Sequence, residues 1–417
     1  MKKLVILMLA LLTIVLLVSC GSDVEKTPNA TENETVANNG GEDTPSKEEA
    51  KRLSDEEKAR YFKFVEFELT KEPFRDVIVD YMRKQSELEW VCGADFSVSE
   101  KWENWGISLD FKKGVKYTGI PYADTKVSYI QFQNALVDGT YTCSSDAWKD
   151  VYGVQCISSI MNCIQQFDPT VAGTSNVMMP SYNTFEAKIC GEYKVPKGVN
   201  RTADIRDANG EDVIYNAYMQ LKKGDIIITK DDKKSMSHFR VLVEDPTIYT
   251  NGIGKVIPSR CSVKTIEQTN AFDSQRTDGV KTTWFVDHIY SFSKLYETNY
   301  LPLTLESYSK SRSEMEIPYI ALDKDLDPAV LAKKTFSSTV KSNFPLRYVQ
   351  IDVLDGEGKL VKNEFKMDME DTRAVPLRNS FSTLFDGLTS GNKYTLVVSA
   401  GIAIDSCELT RVEFTLG

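Results

Sequence analysis

"GVQCISSIMNC", from Gly153 to Cys163, decides how this chain is read. Ile160, Cys163, Ile164 and Phe167 recur at helical spacing, and Asp168-Pro169 stops the run. The pattern predicts a helix within 150–167, entered through Gly153, with Cys156 at its head. A thiolate nucleophile needs a favoured anion, a base within hydrogen-bond reach, and donors for the oxyanion. A helix N-terminus offers the first and third, through its dipole and its free N–H groups. Cys163 lies two turns further in and reads as a core thiol. Cys143, after "GTYT", has no helix start attached.

The base must come from a short list, because the chain has two histidines, His238 and His288. "LKKGDIIITKDDKKSMSHFRVLVED" reads as two strands, Asp225–Thr229 and His238–Glu244, joined by a charged connection. Period two puts Phe239, Val241 and Val243 on a core face and leaves His238 and Arg240 on the other. His288, in "TTWFVDHIYSF", is flanked by aromatic residues and reads as packing or bonding locally. A third strand is expected at Ser262–Thr269. One helix with several antiparallel strands is an α+β pattern.

The chain has 417 residues, long enough for two or three domains, and its mean hydropathy of -0.30 fits a globular protein with a sizeable core. A net charge of -10 gives no general attraction for phosphate backbones, so nucleic acid is excluded as a partner class. Cysteine spacing lacks C-x-x-C, and with two histidines no metal site is expected. No cofactor is expected, and the chain is expected to act as a monomer.

Lys2 and Lys3 followed by an apolar run from Leu4 to Val18 form a targeting segment too short to span a bilayer. Its end, Leu17-Val18-Ser19-Cys20-Gly21, resembles the lipobox of bacterial lipoproteins. That resemblance implies cleavage after residue 19, lipid on Cys20, and a cell-envelope location held by buried acyl chains. Residues 20–53 are polar, lack aromatic residues and read as a disordered tether. The seven other cysteines are an odd number in a disulfide-permissive compartment, so at least one stays unpaired.

From Ser54, followed by Glu57 in capping-box spacing, residues 54–110 are expected as an N-terminal helical extension. Phe62, Val65, Phe67 and Leu69 give one helical face. Phe74, Val77, Ile78 and Tyr81 give a second, over about 72–87. Further on, a helical stretch is expected near 127–136 and a turn at Asp138-Gly139. Residues 170–217 read as loop-rich. Short β-type runs at 348–354, 360–366, 394–400 and 412–416, separated by Asp355-Gly356 and Ser390-Gly391-Asn392, predict a β-sandwich over 320–417. "LTSGNKYTLVV" resembles a strand of fibronectin type III-like modules.

Gly-x-x-Cys-x-Ser opening a helix, Leu-Lys-Lys-Gly-Asp-Ile-Ile into a strand, and Ser-His-Phe-Arg-Val-Leu-Val into the next together resemble the NlpC-type papain-like cysteine peptidases. The resemblance covers about 110–300 and implies a papain-like hydrolase domain over 111–310. It implies Cys156 as nucleophile and His238 as base. By the same likeness, Tyr122 in "YTGIPY" would be a hydroxyl on the substrate or oxyanion side. The third polar residue falls in "SVKTIEQT", as Glu267 or, alternatively, Gln268, which is also placed on the substrate side. The implied partner is peptidoglycan or another peptide substrate. The chain departs from the family in having Gln155 before the cysteine, where Asp is usual, and Ile157-Ser158 after it. Those departures support a rival expectation: a catalytically degenerate papain-like scaffold serving as an envelope-binding or adhesion protein.

Overall fold

The computed structural model of the chain describes residues 49–101, 106–143, 145, 148, 150–170, 187–234, 236–367 and 371–417. The leader, Cys20 and residues 20–48 of the expected tether lie outside the described residues. The molecule is 21% helical and 34% strand, distributed over several sheets, an α+β composition. No helix among the described residues is long and apolar enough to cross a membrane.

The largest sheet has six antiparallel strands. In spatial order they are Trp284–Ser291, Ser262–Gln268, Met236–Leu242, Ile226–Asp231, Leu301–Leu305 and Ala187–Ile189. Ile226, Ile227 and Ile228 are all buried, so this strand is covered on both faces. On the next strand Phe239 and Val241 are buried while His238 and Arg240 are half-buried, as the alternation predicts. Helices Phe74–Glu87 and Cys156–Ile164 pack on each other, and both rest on the strands carrying His238 and Glu267. Every residue of the cysteine helix is buried, its polar Ser158, Ser159 and Asn162 included.

Two four-stranded antiparallel sheets hold the C-terminal residues. One joins Leu360–Lys366, Tyr348–Asp355, Lys393–Gly401 and Ser406–Thr415. The other joins Lys63–Glu66, Tyr319–Leu322, Thr339–Ser342 and Ala374–Pro376. Ser406–Thr415 packs against Lys63–Glu66 and Tyr319–Leu322, so the sheets meet there.

The helical extension expected over 54–110 is corrected. The capping box forms, with Glu57 N donating to Ser54 Oγ at 3.3 Å, but its helix ends at Lys58. Lys63–Glu66 is a strand on Tyr319–Leu322, where the Phe64 ring lies 4.7 Å from that of Tyr319. A long-range partner outweighs weak helical periodicity there. Glu89–Cys92, Phe96–Lys101 and Gly106–Phe111 are also strands, the last alternating exposed and buried at every residue. Of the expected helices in this region, the second stands, at Phe74–Glu87. Order also starts earlier than Ser54. Lys51 N donates to Met315 O at 2.7 Å, and Ile317 N donates to Lys51 O at 2.8 Å. Two helices, Thr202–Asn209 and Glu211–Tyr218, lie in the segment expected to be loop-rich.

Candidate active site

The cysteine is placed by a glycine. A Cβ on Gly153 would stand 2.5 Å from Pro121 O and 2.7 Å from Ala123 N, so only glycine lets this segment lie against "IPYA". Val154 N donates to Pro121 O at 2.9 Å, and Tyr122 bridges Val154. The contact sets Tyr122 beside the start of the cysteine helix. Gln155 caps that helix, its N donating to Ser158 Oγ at 2.7 Å while its side-chain amide reaches Asp124. Cys156 is its first residue.

Cys156 is 5% exposed, with its sulfur 3.9 Å from Ser237 O and close enough to the His238 imidazole to raise its pKa. His238 Nε2 is bonded to Glu267 Oε2, which leaves Nδ1 for the sulfur. The register Val241↔Ile266 puts Arg240 opposite Glu267 one step further along, with His238 diagonal to it. Glu267 is 2% exposed and takes two further donors, Arg240 Nε at 2.8 Å and Tyr290 OH at 2.7 Å. The Arg240 guanidinium lies between two rings, 3.8 Å from the centre of Tyr290 and 4.2 Å from that of Tyr300.

These contacts set the charges. Burial alone would lower the His238 pKa, but its bonds to Cys156 and Glu267 outweigh burial and push it up to about 9. Burial alone would raise that of Glu267, yet Arg240 and His238 hold its carboxyl well below the usual range. Burial raises the Tyr122 hydroxyl well above its ordinary value, with the neighbouring Cys156 and Asp124 adding to it, so the phenol stays protonated and can donate. Its ring centre lies 5.6 Å from that of Trp148.

Cys156, His238 and Glu267 are therefore brought together, with Tyr122 at their edge. Gln268 is not part of this group. Its side chain lies on the opposite side of the strand, fully buried, with Nε2 donating to Ile120 O at 2.7 Å and Oε1 accepting from Thr269 N at 2.9 Å. With both ends of its amide in use, it braces the Tyr122 loop and has nothing to offer a substrate. The structure adds Arg240 and Tyr290, which the sequence reading assigned no role. Arg240 shares a strand face with His238, a signal that was present in the alternation; Tyr290 is placed only by the pairing of the Trp284–Ser291 strand. The seven cysteines after Cys20 are all unpaired. Among the described residues, no three His, Cys, Asp or Glu side chains gather as a group that could hold a metal ion.

No family model, curated protein or solved structure matches this chain.

Proposed function

We propose that the chain is a cysteine hydrolase of the NlpC-type papain-like kind, acting on peptide or amide bonds, with peptidoglycan stem peptides as its substrate class. One observation carries this reading: Cys156, the first residue of a buried helix, sits beside a histidine whose ring nitrogen is held by a buried carboxylate. In this reading a lipid on Cys20 holds the enzyme at the cell envelope. The domain over 111–310 performs the chemistry, and the sheets after 320, read as a β-sandwich, stand beside it.

The steps follow from the contacts. With the Cys156 thiol proton passed to His238, the sulfur attacks the scissile carbonyl carbon; the S–C bond forms and the carbonyl π pair moves to oxygen. That oxyanion meets the Cys156 and Ile157 N–H groups, which have no i−4 acceptor inside the helix, and the protonated Tyr122 hydroxyl. His238, protonated at neutral pH, gives its proton to the amide nitrogen as the C–N bond breaks. Water then attacks the thioester, His238 takes its proton, and the acid leaves as Cys156 is restored. Glu267 fixes the imidazole throughout.

The rival reading, a binding scaffold, draws on the 5% exposure of Cys156. Alkylation by iodoacetamide at neutral pH separates the two. Burial raises the thiols of Cys92, Cys163, Cys190 and Cys407 above their ordinary value, so a hydrolase should label first at Cys156. Purified peptidoglycan, digested with wild type and Cys156→Ala and read by mass, should release amide-cleaved fragments with wild type only. Identical product profiles would remove the hydrolase reading.

A further inference from the structure

A cleft of about 260 Å³ opens beside the Cys156 loop, between the helix Tyr129–Asn134, Tyr152, and the outer face of the sheet containing Tyr348–Asp355. We propose that this cleft binds an uncharged glycan whose sugars carry acetamido groups.

The wall contributed by the sheet is a row of cross-strand partners. Gln350 pairs with Phe365 on one side and with Ser399 on the other, and Tyr348 lies on the same face two residues away. On the opposite face Val349, Ile351 and Val353 are fully buried, so that side is the core of the sheet. Phe365 has no such duty. It is 43% exposed on an edge strand and meets Tyr152 edge-on, with ring centres 6.3 Å apart. Aromatic rings on one face with neutral hydrogen-bonding groups between them suit a sugar, whose C–H faces stack and whose rim bears hydroxyls.

The polar groups at the cleft are under-used. Gln131 is 7% exposed, and among the described residues its amide nitrogen meets only the Met367 thioether, a weak acceptor. Gln350 spends its amide nitrogen on Asp352, at 3.1 and 3.0 Å, and its Oε1 takes no hydrogen bond among the described residues. A buried, poorly paired amide beside a cavity is costly unless water or a ligand completes it. No side chain lining the cleft carries a charge at neutral pH, which disfavours an ionic ligand. Side-chain amides both donate and accept, as an acetamido group does. Tyr152 lies four residues before Cys156, so a glycan held here would enter the site from the side of the helix start. The acetamido assignment rests on the wall-hydrolase reading; the fit to an uncharged sugar does not.

The test uses the mature chain with Cys156→Ala, so that no turnover occurs, titrated with chitotetraose and followed by saturation-transfer and ¹H–¹⁵N NMR. Chitotetraose should bind in the millimolar range or tighter, and maltotetraose more weakly. Phe365→Ala and Gln350→Leu should each weaken binding about tenfold, the loss of one stacking or hydrogen-bonding partner. Phe365 is largely outside the core, so its variant should keep the parent's unfolding transition. No transfer to either sugar at millimolar concentration overturns the site, as does unchanged affinity in both variants. Equal binding of maltotetraose overturns the acetamido assignment. Displacement of chitotetraose by a stem-type peptide identifies a peptide site and also overturns the proposal. In the wild-type background, sugar binding retained without selective Cys156 alkylation would remove the hydrolase reading alone; alkylation retained without sugar binding would remove this one alone.

Discussion

The two histidines sit in the same sheet and each leans on a carboxylate, yet only one of them has a cysteine beside it. His288 Nε2 bonds Asp273 Oδ2 at 3.1 Å, and its ring stacks on Phe285 with centres 4.7 Å apart. His238 bonds Glu267, and Glu267 also takes Arg240 and Tyr290. Among the described residues, no arginine bonds Asp273 Oδ2 and no cysteine bonds His288. A histidine–carboxylate pair is thus a common structural brace. What sets His238 apart is a sulfur at a helix start on its other side and a second cation that keeps its carboxylate ionised.

The largest effect expected is on Cys156 reactivity. His238→Ala should slow its alkylation at neutral pH by 10²–10⁴-fold, roughly the range of a positioned base. The fold should survive, because the core face of that strand is Phe239 and Val241. His288→Ala should leave the rate unchanged. Equal losses in both variants would break the comparison, since labelling would then track global stability.

Next comes stability. Glu267→Gln leaves Arg240, 13% exposed in its side chain, without its anion, and should cost about 3–5 kcal/mol in chemical denaturation. Asp273→Asn keeps a hydrogen-bonding group of the same shape beside His288 and should cost about 1 kcal/mol. Similar values for the two would mean that the Arg240 clamp contributes nothing distinctive.

A smaller effect is expected at the brace behind Tyr122. Gln268→Leu removes the bond to Ile120 O and leaves that carbonyl with Trp284 Nε1 as its donor, at 2.9 Å. About 1–2 kcal/mol should be lost. Alkylation of Cys156 should change far less than with His238→Ala; an equal change would return Gln268 to the site.

What the sequence made legible follows from range. The cysteine helix, the two strands before and through His238, and the strand bearing Glu267 are each local patterns with a clear period and clear stops. Their observed bounds, Cys156–Ile164, Ile226–Asp231, Met236–Leu242 and Ser262–Gln268, differ from expectation by a few residues at the ends. Lys63–Glu66 was illegible because its strand character depends on Tyr319–Leu322, more than 250 residues away. Trp284–Ser291 was hidden by a bulge. Asp287 sits at φ 60° where the register shifts between Thr265 and Ile266, breaking the alternation that would have announced the strand. Gly106–Phe111 was legible in its period-two pattern and was passed over. Arg240 and Tyr290 were visible as residues but not as partners, since the register that joins them to Glu267 exists only in the assembled sheet.

The last and most gradual difference between the two histidines is in pH. The His238 pKa is raised from 6.5 to about 9 on folding. A raised histidine stabilises the fold fully below its unfolded pKa, and that contribution is lost as pH climbs through the folded value. The loss therefore falls between about pH 6.5 and 9, at no more than about 1.4 kcal/mol per pH unit for one proton. Glu267 works in the opposite sense. Its carboxyl is depressed from 4.5, so its contribution is present above that value and is lost only as pH falls well below it. Between them the pair contributes most from about pH 4.5 to 6.5. Denaturation midpoints measured from pH 6 to 9 should fall for wild type and for His288→Gln alike. They should stay nearly flat for His238→Gln, which carries no titrating proton. The chain has no third histidine to mimic the effect. A slope that persists in His238→Gln would show that the imidazole is not the group being lost, and with it would go the charged His238–Glu267 pair on which the contrast with His288 rests.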